Sequence, residues 1–240
     1  MVARETLYAK ALEIYQLLLE RYGERPLKPR REPMHELIST ILSQRTTNRN
    51  EALAYERMRE RFGSWEAIRD APVDQLAEAI APSNYAEAKA PNIKATLKRI
   101  IDERGEANID FLADTPLDEA MAWLMSMPGV GIKTASLVML FCFAEPVLPV
   151  DTHVHRVSQR TGLIGAKVGT EAAHHVLLDL LPKEPYFLYN FHVALLKHGQ
   201  QLCVWGVPKC EPCPLKHLCD WYQANRAGKG ADVDPSLRSS

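Results

Sequence analysis

Met127-Pro128-Gly129-Val130-Gly131-Ile132-Lys133-Thr134-Ala135 joins two stretches with the apolar spacing of helices. Pro128 ends the first helix, because it has no N–H to donate and its ring clashes with the preceding turn. Gly129 and Gly131 permit positive φ and leave the backbone bare. The second helix begins at once, so its unpaired N–H groups and the positive end of its dipole face outward. Bare N–H groups at a helix start suit a phosphate oxygen. Such contacts position a nucleic-acid backbone without reading its bases. The same run would also serve as a plain tight turn, a use for which short glycine motifs commonly recur.

Helical spacing continues on both sides of this turn. Apolar residues recur at i, i+3, i+4, and the alternation of strands is almost absent. Leu7, Leu12, Tyr15, Leu18, Leu19 and Tyr22 mark a helix over 3–22, closed by Gly23. RPLKPRREP (25–33) is a proline-broken linker. The pattern predicts further helices over 34–44, 48–62, 64–70, 73–80 and 86–104, then from Thr115-Pro116 to about Ser126. Four more follow over 133–143, 152–161, 170–181 and 185–199. Ser64 is a good N-cap, and Pro72 stands near a first turn, where a missing N–H costs little. A helix starting near Glu87 keeps Pro91 in its first turn, where it removes no intrahelical bond. The fold class is all-α. The small, polar residues of 226–240 are expected to be a disordered tail.

Composition narrows the function classes. With 240 residues, 46% hydrophobic and 25% charged, the chain is of globular type. A net charge of −1 excludes a uniformly basic nucleic-acid coat protein, but a binding site needs only a local patch. Charge is +3 over residues 1–31, −6 over 32–147 and +2 over 148–240. This split suggests that the two ends pack together, away from the middle. The first residues carry charges inside their apolar pattern and do not form a signal peptide. Apolar runs are far shorter than the ~20 residues of a membrane span. Of five cysteines, Cys142 stands alone in LVMLFCFA and reads as a buried structural thiol. The other four crowd together, unlike a secreted disulfide scaffold. The expectation is a soluble protein of a reducing compartment.

Two residues downstream of the turn invite chemistry. Lys133 sits in the first turn of its helix, where the dipole disfavours a positive charge and lowers its pKa. A neutral amine is a nucleophile that forms Schiff bases with carbonyl-like carbons. A solvated, phosphate-binding lysine is the equal alternative on position alone. In Val150-Asp151-Thr152-His153, Asp151 or Thr152 can cap the helix that follows, and taken in isolation Asp151 reads as a cap. His153 and His155 stand two apart and so on different helix faces, which argues against a metal pair; His174-His175 fails the same way. Cys203-x6-Cys210-x2-Cys213-x5-Cys219 is a soft ligand set for zinc or a [4Fe–4S] cluster, and spacing alone leaves both open.

PGVGIKTA (128–135), VDTHVHRVSQRTG (150–162) and the four-cysteine run together resemble the endonuclease III family of DNA glycosylases, from about residue 30 to 222. The resemblance implies a helix–hairpin–helix fold of two helical lobes with a central cleft. It implies an N-terminal helix and linker (1–31), a six-helix barrel domain (32–147), a cluster domain (148–225) and the tail. It assigns Lys133 as nucleophile, Asp151 as its partner, and Cys203, Cys210, Cys213 and Cys219 as ligands of a [4Fe–4S] cluster. Gly129, Val130 and Gly131 would hold DNA phosphates. The implied activity is that of a bifunctional DNA glycosylase/AP lyase of base excision repair, removing oxidised or saturated pyrimidines. Its partner would be duplex DNA with a damaged base or an abasic site, met by a cytoplasmic, nucleoid-associated monomer without contact to membrane.

The chain departs from the family in its two wedge loops. ILSQRTTN (41–48) stands where LSAQATD is usual, which places Arg45 at the wedge glutamine with Gln44 beside it. An arginine can still stack on and hydrogen-bond to an orphaned base. Ser83-Asn84-Tyr85-Ala86 replaces a glycine-led apolar turn, making Tyr85 the candidate wedge with Asn84 beside it as a DNA-binding residue, and core packing the other reading of Tyr85. The segment between Cys203 and Cys210 has one basic residue where relatives have several, and Ile132 replaces a common polar or basic residue. A mismatch-directed glycosylase of the same fold and a non-catalytic iron–sulfur DNA-binding protein are the competing readings.

Overall fold

A computed structural model describes residues 2–28 and 32–227. Among these the chain forms helices and no strand, and it divides into two compact units.

One unit spans Lys28–Glu145. It contains α2 (Pro33–Ser43), α3 (Asn48–Phe62), α4 (Trp65–Asp70), α5 (Val73–Ala79), α6 (Ala86–Arg104), α7 (Leu117–Met125) and α8 (Ile132–Phe143). Caps fix several starts: Glu32 accepts from the amides of Met34 and His35, Thr47 from Asn50 and Ser64 from Ala67. Such side-chain caps are worth about 1 kcal/mol each. α8 is apolar on every side and is buried continuously from Thr134 to Phe141. It packs on α2 and α7, while α6 packs on α4 and α5. Ile38, Ile41, Met58, Ile93, Leu97 and Met139 are fully enclosed in this core. Burying each such side chain contributes roughly 1.5–3 kcal/mol, and this anchors the start of α8 and the end of α2.

The other unit is built from both ends of the chain, Met1–Leu27 and Pro146–Ser240. It contains α1 (Val2–Tyr22), α9 (Thr152–Arg160), α10 (Thr170–Leu180), α11 (Pro185–Gln201) and α12 (Asp220–Ala227). α11 packs on α9 and on α1. Tyr15 of α1 meets Phe187 of α11 with ring centroids 4.2 Å apart. Lys10 of α1 pairs with Asp220 of α12 at 2.7 Å.

The predicted helices all form, with ends shifted by one or two residues. Three elements go beyond the prediction: 3-10 turns at Ala81–Ser83 and Asp110–Asp114, and α12. α12 reaches Ala227, two residues into the stretch expected to be disordered; residues 228–240 lie outside the described residues. Helix α6 starts at Ala86, so Pro91 lies beyond its first turn and one intrahelical bond is forgone.

Candidate functional site

In the unit Lys28–Glu145, a hairpin joins α7 to α8. Met127 N donates to Leu124 O and Val130 N to Met127 O, both at 3.1 Å, which folds the chain back on itself. Only one of its glycines needs positive φ. Gly129 has φ 78°, and a Cβ there would stand 3.0 Å from Asn92 Nδ2. Gly131 is extended, with φ −98° and ψ −178°, and open space lies where a Cβ would point. Its value is the bare backbone at the start of α8, which carries no side-chain cap. The side chain of Val130 is buried, and its amide is used within the turn. Lys133 is the second residue of α8 and is half-buried.

Two further loops belong to the same unit. Gln44, the C-cap of α2, donates from Nε2 to Gly129 O at 2.8 Å, tying the first loop to the hairpin. Arg45, Asn84 and Tyr85 all adopt positive φ, at 53°, 58° and 50°. L-residues with side chains rarely adopt such backbone, and it costs of order 1 kcal/mol or more at each position. Asn84 Nδ2 donates to Arg45 O at 3.2 Å and to Thr46 Oγ1 at 3.4 Å. The Arg45 guanidinium stands over the Tyr85 ring, 5.6 Å from its centroid. Tyr85 is 60% exposed, which removes the core-packing reading.

Sequence reasoning passed over Lys89. It is buried on α6, and its Nζ donates to the carbonyls of Leu42, Gln44 and Ser83. A signal was present: Lys89 stands four residues before Ile93, on the stripe that Ile93, Leu97 and Ile100 bury.

In the other unit, Asp151 is the N-cap of α9. Its Oδ1 accepts from the amides of His153 at 2.9 Å and Val154 at 2.8 Å. Both bonds fall on one oxygen, so capping leaves Oδ2 for another partner. The histidines have structural partners. His155 Nε2 is hydrogen-bonded to Val168 O, His174 Nδ1 to Leu148 O, and His153 Nδ1 to Arg156.

Cys203, Cys210, Cys213 and Cys219 line one cavity together with Arg160 and His198. Arg160 Nη1 donates to Cys203 Sγ at 3.3 Å, and Cys219 Sγ donates to Arg160 O at 3.2 Å. Burial pushes the thiols of Cys210 and Cys219 up and that of Cys213 to about 11. Among the described residues no group of three or more His, Cys, Asp and Glu side chains is gathered as a metal-ion site. The four thiols instead surround a shared space, with a guanidinium against one sulfur. That donor set is soft and suits an anionic iron–sulfur centre. Cys142, in the first unit, is unconnected to them. Burial and the nearby carboxylates of Glu36, Glu32 and Asp110 push its thiol up to about 12. No helix is long and apolar enough to cross a membrane among the described residues.

A family model described as HhH-GPD superfamily base excision DNA repair protein matches residues 38–183. Endonuclease III of Thermotoga maritima is 33% identical over 199 residues, which cover 83% of this chain and 87% of that protein. Endonuclease III of Rickettsia prowazekii is 31% identical over 215 residues, 88% of this chain and 96% of that protein. A solved structure of a trapped endonuclease III–DNA covalent intermediate, an estranged-adenine complex, matches with a TM-score of 0.78 at 26% identity. That match covers 91% of this chain and 98% of the other.

Proposed function

The chain belongs to the HhH-GPD superfamily of base excision DNA repair proteins, and from that membership we propose that Lys133 and Asp151 carry its chemistry. It is a DNA glycosylase/AP lyase of the endonuclease III kind, acting on damaged duplex DNA. The residue-level mechanism is our reading. The damaged nucleotide turns out of the stack. Lys133 Nζ, in its neutral form, attacks C1′ of the sugar while the C1′–N bond to the base breaks and the base leaves with its electron pair. The proton of the attacking amine passes to a general base, the role assigned to Asp151, whose second carboxylate oxygen is not used in capping and whose charge would stabilise the developing positive charge. Ring opening leaves an imine between Nζ and C1′. Loss of a C2′ proton then expels the 3′ phosphate, which nicks the strand, and water releases Lys133.

The position of Lys133, second in α8 directly behind a glycine turn, carries this reading. Phosphates seated at the turn would bring the backbone to the amine. Arg45 and Tyr85, with Gln44 and Asn84 beside them, are assigned as the groups that fill the space a flipped base leaves. The substrates are oxidised or saturated pyrimidines. The four cysteines would hold a [4Fe–4S] cluster, which when bound would tie down the segment 203–219 and offer one-electron chemistry. Arg160 would neutralise part of its charge at Cys203. The protein would work as a monomer on nucleoid DNA in the cytoplasm.

Borohydride trapping tests the assignment. Wild-type protein mixed with abasic-site duplex and borohydride gives a covalent complex, and Lys133→Ala gives none while still binding the duplex. Undiminished trapping by Lys133→Ala removes the lysine from the mechanism. A panel of duplexes carrying single lesions tests the substrate class, and cleavage confined to mismatches would replace it.

A further inference from the structure

Lys89 is a buried charge that the chemistry above does not use. It is 4% exposed, and its Nζ donates to Leu42 O at 2.7 Å, Gln44 O at 2.7 Å and Ser83 O at 2.6 Å. The first two carbonyls close the C-terminal end of α2, where carbonyls lack intrahelical partners and the dipole is negative. The third ends the 3-10 turn Ala81–Ser83. An ammonium carries three donors on one atom, so a single side chain satisfies two separate segments. Burial lowers its pKa to about 8, and its three partners are all neutral carbonyls. Burying a cation is expensive unless its hydrogen bonds are made. Stability alone gives little reason to keep such a group in a core.

Its geometry gives another reason. Gln44 directly precedes Arg45, and Ser83 directly precedes Asn84 and Tyr85. These are three of the four residues with side chains that take positive φ among the described residues. The links between the exposed tips are weak alone: the Asn84 hydrogen bonds, and a cation–π contact worth about 0.5–1 kcal/mol at an exposed site. We propose that Lys89 is a positioning residue: it clamps the two loop bases in register, so that Arg45 and Tyr85 enter the duplex as one preformed wedge. A wedge ordered beforehand spares its side chains the ordering cost on insertion. The benefit falls on duplexes with a gap to fill, not on intact duplex held through its phosphates. This inference rests on the assignment of Arg45 and Tyr85 as inserting groups.

The test compares Lys89→Met, Arg45→Ala and the double variant in the full chain, with Tyr85→Ala as a separate arm. The probes are a duplex with a tetrahydrofuran abasic analogue and the same duplex intact. The expected result for Lys89→Met is about tenfold weaker binding to the abasic analogue, equivalent to 1.4 kcal/mol. Intact-duplex affinity and the saturating single-turnover rate should move by less than about threefold, a split that general loss of structure would not give. In the double variant, removing Lys89 should add little to the loss already caused by Arg45→Ala. If Lys89→Met does not fold by circular dichroism, Lys89→Gln, which keeps two donors, takes its place with the same expected direction. A folded Lys89 variant with wild-type abasic affinity, or strictly additive losses, overturns the clamp. Wild-type affinity in both Arg45→Ala and Tyr85→Ala overturns the wedge assignment instead.

Discussion

The side-chain amide of Asn84 donates to the backbone carbonyl of Arg45, at 3.2 Å, from a residue whose own backbone sits at φ 58° and ψ 155°. That region is nearly reserved for glycine. Replacing Asn84 by Gly removes strain of about 1–3 kcal/mol. It also removes two long, exposed hydrogen bonds, each worth about 0.5–1.5 kcal/mol at most. The two effects nearly offset. Asn84→Gly should unfold in urea within about 1 kcal/mol of wild type, yet bind abasic-site duplex more weakly. Wild-type abasic affinity would show that the tie between the loops is unimportant for binding.

Asp151 separates capping from chemistry. Asn caps helices about as well as Asp, so Asp151→Asn should keep stability within roughly 0.5 kcal/mol. Ala at the same position should cost about 1 kcal/mol. Base release should fall at least about a hundredfold in both, because neither accepts a proton. Equal turnover for Asp151→Asn and wild type would leave Asp151 as a cap alone.

The two hairpin glycines should behave differently. Gly129→Ala forces a side chain onto φ 78° and presses it against Asn92, so stability should drop by about 1 kcal/mol or more. Gly131→Ala meets open space on extended backbone and should fold within about 0.5 kcal/mol of wild type. Its added methyl stands where a phosphate is proposed to approach. Weaker DNA binding with a similar melting temperature is therefore expected for Gly131→Ala. A melting loss at Gly131, or none at Gly129, contradicts this division.

Cys142 sets an alkaline signature. Its folded pKa of about 12 stands above the ordinary 9.0, so the fold retains a proton that the unfolded chain releases. Stability from this group is complete below pH 9 and declines as pH rises toward 12. Lys89 acts oppositely between about 8 and 10.5, since its folded pKa is lowered. Comparing Cys142→Ala with wild type isolates the thiol: the variant should lose less stability between pH 8 and 10.5. Iodoacetamide at pH 8 should leave Cys142 unlabelled in folded protein and label it in urea. Rapid native labelling would contradict the raised pKa.

The sequence made the helices legible because their signals are local. Apolar spacing located them, Ser64 announced its own N-cap, and of Asp151 and Thr152 the structure makes Asp151 the cap. The hairpin was legible for the same reason, although its two glycines looked alike and only Gly129 takes positive φ. Lys89 was overlooked because two of its three partners lie more than forty residues away, and a lysine beside alanines reads as solvated. The contact of Arg45 with Tyr85 is likewise a property of two loops meeting, which neither loop encodes alone. Helix α12 carries too few apolar positions to announce itself; its packing on α9 supports it.

The arrangement of α1 against α11, with Lys10 paired to Asp220, also dictates an order of assembly. The unit Lys28–Glu145 is one continuous segment and can close while synthesis continues. The unit made of Met1–Leu27 and Pro146–Ser240 cannot, since α1 must wait for α10 and α11, which follow the whole central segment. All four clustered cysteines belong to that late-closing unit. Any iron they take up would therefore be expected to enter only after Cys219 has been made, and chains cut short before α10 and α11 should leave α1 exposed to proteases while the central segment survives.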